Sequence, residues 1–226
     1  MKVLVISMDN EKGKQRRSHL NYDYTQIQGC VGSDDKDPYV AEVKEKLFRR
    51  NNTFQKTYDG QAGAFASHIK ALEHIINNGL KGVVICEDDA IQTRGLPEQM
   101  PDEICLLSGR LEHPKDWRQT KKWRKTIGPD ITASFSEGVN QIDYDVYRWT
   151  VICAYWVPSV QKARELLDKL RFLEKWRAID IMLSKHKLIN QLYYPAIYKH
   201  HDKVGSNIQT YDKTGIVIDY LDIRKI

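Results

Sequence analysis

The apolar positions of this chain change period repeatedly, and each change marks an element. Residues 2–8 are nearly all apolar, as a strand covered on both faces must be, and 24–28 reads as a second short strand ending at Gly29. Turn chemistry at 33–38 precedes a modest helix around 39–49. Phe65, Ile69, Leu72 and Ile76 then recur at helical spacing. They predict a helix over 62–78 with one inward face, stopped at Asn78-Gly79. Val83, Val84, Ile85 and Cys86 form another doubly covered strand, and Glu87, Asp88 and Asp89 follow at once. Further strands are predicted at 104–107 and 150–157. A helix starts at Val160 with Ala163, Leu166, Leu167 and Leu170 as its stripe. A shorter helix at 176–184 carries Asp180, and a strand at 188–197 is interrupted by Pro195. This alternation predicts an α/β fold with substantial parallel character, one domain over 1–226.

The acidic triplet takes its meaning from its place in that series. Three acids at the end of a buried strand repel one another, and a cation among them makes the arrangement favourable. In open α/β sheets the ligand crevice lies beyond the carboxyl ends of the strands, where Glu87–Asp89 falls. The triplet also reads as a solvated acidic turn; its position favours the cation. A metal there needs another ligand, and His200 or His201, just past the last major strand, is the natural candidate. Oxygen ligands with one imidazole suit manganese or magnesium better than a thiolate zinc site does. The Asp34-Asp35 pair sits in a hydrophilic turn with no strand behind it and ranks below the triplet.

Composition narrows the partners. The net charge is +5, from 35 basic and 30 acidic side chains, which favours anionic ligands such as sugar nucleotides without requiring nucleic acid. The 4 cysteines include no CxxC pair and read as reduced core thiols. The apolar run at the N-terminus is too short for a signal peptide, and no later segment approaches spanning length. A cytoplasmic location is the expectation, with peripheral membrane contact left open. Residues 110–125 hold seven lysines and arginines against two acids, with Trp117 and Trp123 interleaved. This stretch reads either as a solvated loop or as a surface for nucleic acid or anionic membranes, the rival functional class.

Several motifs, in order, resemble glycosyltransferase family 25, a group of lipopolysaccharide and collagen glycosyltransferases with a GT-A-like (Rossmann-like) fold. The opening strand with Asp9 and Arg16-Arg17 is similar to that family's opening motif. The segment from Gly60 through Gly63 and Phe65 to Ser67-His68 is similar to its glycine-containing segment, and Glu87-Asp88-Asp89-Ala90 to its acidic motif. Ala154-Tyr155, Asp180 and the run from Pro195 to Ser206-Asn207-Ile208 follow in the family's order. The opening strand departs from the family at Ser7-Met8, and 110–125 matches nothing in it.

The resemblance implies transfer of a hexose, galactose or glucose, from a UDP-sugar to a lipid- or protein-linked glycan, with Mn2+ (or Mg2+) as cofactor. It implies a nucleotide-sugar and metal half at 1–109 and a basic loop with an acceptor side at 110–226. Ser7, Arg16, Arg17, Ser67, His68, Glu87 and Asp88 would bind donor; Glu87, Asp89, His200 and His201 would hold metal. Tyr155 and Trp149 would meet the acceptor. Asp89 would serve catalysis, and Asp180 would act as the acceptor-side base, a role that a partly buried carboxylate suits. Asp180 also reads as a helix carboxylate paired with Arg177 or Lys187. A nucleotide-sugar hydrolase would use the same acids without an acceptor.

Overall fold

The computed structural model describes residues 1–48, 55–112, 135–144, 148–150 and 152–200. The basic stretch from 113 onward, His201 and 206–208 lie outside them.

The chain opens with β1 (Lys2–Ser7), α1 (Glu11–Arg17), β2 (Thr25–Gln28), α2 (Pro38–Lys46) and α3 (Gln55–Asn77). It continues through β3 (Val83–Glu87), β4 (Ala90–Gln92), β5 (Cys105–Leu106), β6 (Arg110–Glu112), β7 (Gly138–Gln141), β8 (Arg148–Thr150) and β9 (Ala154–Val157). Helices α4 (Val160–Phe172) and α5 (Ile179–Lys185) then precede β10 (Gln191–Tyr194) and β11 (Tyr198–His200). The main sheet has 7 strands in the order β2-β1-β3-β9-β5-β10-β7, with short pairs β11-β4 and β6-β8 beside it. β1 runs parallel to both β2 and β3, and β10 parallel to β5. β9 enters antiparallel between β3 and β5, and β7 closes the far edge antiparallel to β10. The sheet is mixed, with its parallel block at the N-terminal side, as an α/β Rossmann-like fold.

Burial explains the unbroken apolar runs. Val83 and Ile85 of β3 join the core under the helices, while Val84 and Cys86 join a second core on the other face. The first core is filled by Phe65, Ile69, Leu72 and Ile75 of α3 and by the stripe of α4. Phe65 stacks on the buried Trp176, with centroids 4.6 Å apart. The second core lies under Tyr22, β4 and β11, with Ile197 and Tyr198 buried.

Local signals set the ends. Asp37 caps α2 by accepting from Tyr39 N at 2.9 Å, and Ser159 caps α4 by accepting from Lys162 N at 3.2 Å. Gly79, at φ 62°, stops α3, and Leu80 N donates back to Ile75 O at 3.0 Å. Two boundaries differ from the sequence reading. The strand predicted over 150–157 is divided between the end of β8 at Thr150 and β9 from Ala154, and Ser108 Oγ accepts from the N–H groups of Cys153 and Ala154 where β9 begins. Trp176 lies outside α5, since Leu47 bridges to it and Lys46 O accepts its N–H. Among the described residues no helix is long and apolar enough to cross a membrane.

Candidate functional site

Three parallel strands end together, and a crevice of about 320 Å3 opens beyond them. Its floor is the end of β1 at Ser7 and of β3 at Glu87; its wall is the turn after β2 and the first turns of α3. That wall is backbone packed on backbone. A Cβ on Gly32 would sit 1.7 Å from Asp59 O, and one on Gly63 would sit 2.7 Å from Cys30 O. Only glycine permits this approach. Ser67 clips the wall together, since its hydroxyl donates to Gly63 O at 2.6 Å and accepts from Cys30 N at 2.8 Å.

The three acids at the crevice have three different surroundings. Asp88 is buried and fully engaged: Ser7 Oγ donates to one carboxylate oxygen at 2.7 Å and Arg16 Nη1 to the other at 2.7 Å. Arg17 in turn donates to Ser7 Oγ, and to Met8 O at 2.9 Å. Asp89 faces Arg16 Nη2 at 3.4 Å through one oxygen and His200 Nδ1 at 3.2 Å through the other. That second oxygen, Oδ1, is buried and makes no well-aligned hydrogen bond, so its contact with His200 is ionic in character. Glu87 is the open member, with its side chain 32% exposed and one oxygen 3.6 Å from His68 Nε2. The cation that the triplet requires is supplied in part by the chain itself, because Arg16 reaches both aspartates.

Ionisation follows these surroundings. Burial pushes the Asp88 carboxyl above its ordinary value, and Ser7 and Arg16 offset this only in part. Burial acts on Asp89 in the same sense, but His200 and Arg16 outweigh it and hold the group below the usual carboxylate range. For His200, burial opposes protonation; the neighbouring Cys153 thiol and Asp89 overcome it and raise the imidazole well above its ordinary value.

The imidazole arrives from far along the chain. β11 pairs antiparallel with β4 so that His200 sits opposite Ala90, the residue after Asp89. Glu87, Asp89 and His200 each then offer one ligand atom, all within 4.8 Å of one another. His68 is oriented from behind: Tyr155 Oη lies 3.1 Å from its Nδ1, and the two rings stack with centroids 5.7 Å apart.

The structure thus brings Ser7, Arg16, Ser67, His68, Glu87, Asp88 and Asp89 to one crevice, with Arg17 behind Ser7. It gives several of them work other than that read from the sequence. Arg16 spends its guanidinium on the aspartates and not on a diphosphate, because it is buried at 6% exposure. Tyr155, at 1% exposure, is buried with its hydroxyl against His68, so it presents no surface to an acceptor. Asp180 lies in the first turn of α5, where its Oδ1 accepts from Ile181 N at 2.7 Å, and it is absent from the crevice lining. Trp149 falls on β8, opposite Leu111 of β6. Two contributors escaped the sequence reading. Asp59 lines the crevice and pairs with Lys44 at 3.2 Å; its adjacency to Gly60 was the available signal. Cys153 lies beside the triplet, its carbonyl accepting from Glu87 N at 2.8 Å, and nothing local in the sequence marks it.

Residues 1–108 match the family model described as glycosyltransferase family 25 (LPS biosynthesis protein). No curated protein matches the chain.

Proposed function

From the match of residues 1–108 to the glycosyltransferase family 25 model, we propose that the chain moves a hexose, galactose or glucose, from a UDP-sugar to a glycan acceptor with a divalent cation at Glu87, Asp89 and His200. One observation carries the reading. Two carboxylates and an imidazole converge within 4.8 Å on the rim of a crevice at the carboxyl ends of parallel strands.

The residues fit such an ion. Asp89 Oδ1 is a buried acceptor short of a well-aligned donor, Glu87 is open to the crevice, and the set is oxygen-rich with one nitrogen. That donor set suits Mn2+ or Mg2+. Bound there, the ion would supply Lewis-acid neutralisation of the departing diphosphate. The protein's own residues do the rest. Arg16 and Ser7 hold Asp88 rigid, and Asp88 in turn fixes the strand end that presents Glu87 and Asp89. The glycine wall offers a close backbone surface on which a nucleoside can lie. His68, held by Tyr155, presents Nε2 toward Glu87 as a hydrogen-bonding group at the donor.

Thermal unfolding with UDP, GDP or CMP, with and without Mn2+, tests the reading in wild type and Asp89→Asn. A ligand at a hundred times its dissociation constant adds about 2.7 kcal/mol, read as a melting increment over each protein's own baseline. The expected outcome is an increment with UDP that needs Mn2+ and is lost in the variant. No increment with any nucleotide would overturn the proposal.

A further inference from the structure

His68 lines the crevice between two groups that divide its ring nitrogens. The register of β9 on β3 puts Tyr155 opposite Ile85, two residues before Glu87. Side chains alternate along a strand, so Tyr155, Ile85 and Glu87 share the sheet face that α3 covers. His68 of α3 comes down onto that face, with Nδ1 3.1 Å from Tyr155 Oη and Nε2 3.6 Å from Glu87 Oε1. The imidazole stacks on the phenol with centroids 5.7 Å apart, and the two residues are 4% and 1% exposed.

Burial at this depth restricts where the protons of the pair can lie. Among the described residues the Tyr155 hydroxyl has His68 as its one hydrogen-bond partner. A proton on Nδ1 would turn that nitrogen into a donor and leave the phenolic O–H buried with no acceptor, which is costly. Burial also pushes the phenol well above its ordinary value, so the hydroxyl keeps its proton to give. A proton on Nε2 leaves no such orphan. It faces the Glu87 carboxylate at a distance too long for a good hydrogen bond, so an N–H there is aimed at the crevice and not spent.

We propose that Tyr155 is a positioning residue whose hydroxyl donates to Nδ1 of His68 and so fixes Nε2–H as a hydrogen-bond donor to the diphosphate of a bound nucleotide. An imidazole held this way gives a hydrogen bond to the crevice and takes no proton from it. Its place beside Glu87 suits an anionic oxygen, the acceptor that makes the stronger bond. The inference rests on the nucleotide site proposed above, so its test has one arm with UDP and Mn2+ and one with neither.

The purified chain is compared as wild type, Tyr155→Phe, His68→Ala and the double variant. Phenylalanine keeps the stacked ring and removes the hydroxyl alone. Without ligand, long-range 1H–15N imidazole spectra, with His68→Ala assigning the signal, should show the Nε2–H tautomer in wild type and a mixture in Tyr155→Phe. With Mn2+ present, isothermal titration with UDP should show Tyr155→Phe about fivefold weaker, the size of losing one neutral hydrogen bond. In the His68→Ala background the same change should cost nothing more, because the hydroxyl acts only through the ring.

A wild-type Nδ1–H tautomer, or spectra unchanged in Tyr155→Phe, overturns the inference whatever UDP does. Wild-type UDP affinity in Tyr155→Phe, or an equal loss in both backgrounds, overturns it and leaves the nucleotide site standing. Failure of wild type to bind UDP alongside the expected spectra sinks the nucleotide site and keeps Tyr155 as the residue that sets the proton on His68.

Discussion

Replacing Asp88 should cost stability, while replacing Glu87 should cost ligand binding and little else. The Asp88 and Arg16 side chains are each 7% exposed, and the carboxylate is bonded at both oxygens. In Asp88→Ala the guanidinium loses its 2.7 Å partner but keeps Asp89 at 3.4 Å. Breaking a buried pair by removing one member costs roughly 3–5 kcal/mol, and the surviving contact puts this case at about 3. With a urea slope of about 2.5 kcal/mol per molar, the midpoint should fall by roughly 1.2 M. The assay is urea unfolding followed by far-UV circular dichroism, without nucleotide and with a chelator present. Glu87→Gln in the same assay should stay within about 1 kcal/mol, because the half-buried side chain is open to the crevice, makes no buried hydrogen bond, and the change keeps its size. A cost below about 1 kcal/mol for Asp88→Ala, at unchanged slope, would refute the idea that the middle acid is an internal brace.

Two further outcomes follow from burial and close approach. Gly63→Ala places a Cβ 2.7 Å from Cys30 O and 2.8 Å from Gly32 N, so α3 and the turn after β2 must part. Unfolding should be easier by about 1–3 kcal/mol, and the UDP-dependent melting increment should shrink; wild-type stability would show that the wall is not tightly packed. All four cysteines are buried, and burial pushes Cys30 up to about 11 and Cys105 up to about 12. At pH 8 the native chain should therefore react with less than one equivalent of Ellman's reagent in minutes and with all its thiols in urea. Rapid labelling of two or more native thiols would contradict that burial.

What could be read from the sequence was what neighbours in the chain decide. The helix from Phe65, its glycine stop, the doubly covered β3 and the acids at its end all follow from local periodicity and turn chemistry. The antiparallel entry of β9 beside β3 was not legible, because a short apolar run carries no record of its direction. Arg16 looked like a surface charge awaiting a phosphate; α1 packs so closely on the end of β1 that its guanidinium is turned under toward Asp88. The family resemblance put Tyr155 at the acceptor, yet strand register buries it behind His68. His200 was reachable only as a guess about chemistry. The pairing of β11 with β4 that delivers it joins segments with no local signal in common.

That pairing also joins two groups that the chain order keeps far apart. The acids and Arg16 come from the first half of the chain and meet through α1 and the ends of β1 and β3. The imidazole joins only when β11 docks in register, and a slip of one residue would turn it to the opposite side of the strand. Convergence of Glu87, Asp89 and His200 is therefore a consequence of that register. A molecule in which β11 is undocked holds the acids of β3 and its following turn without the imidazole beside them.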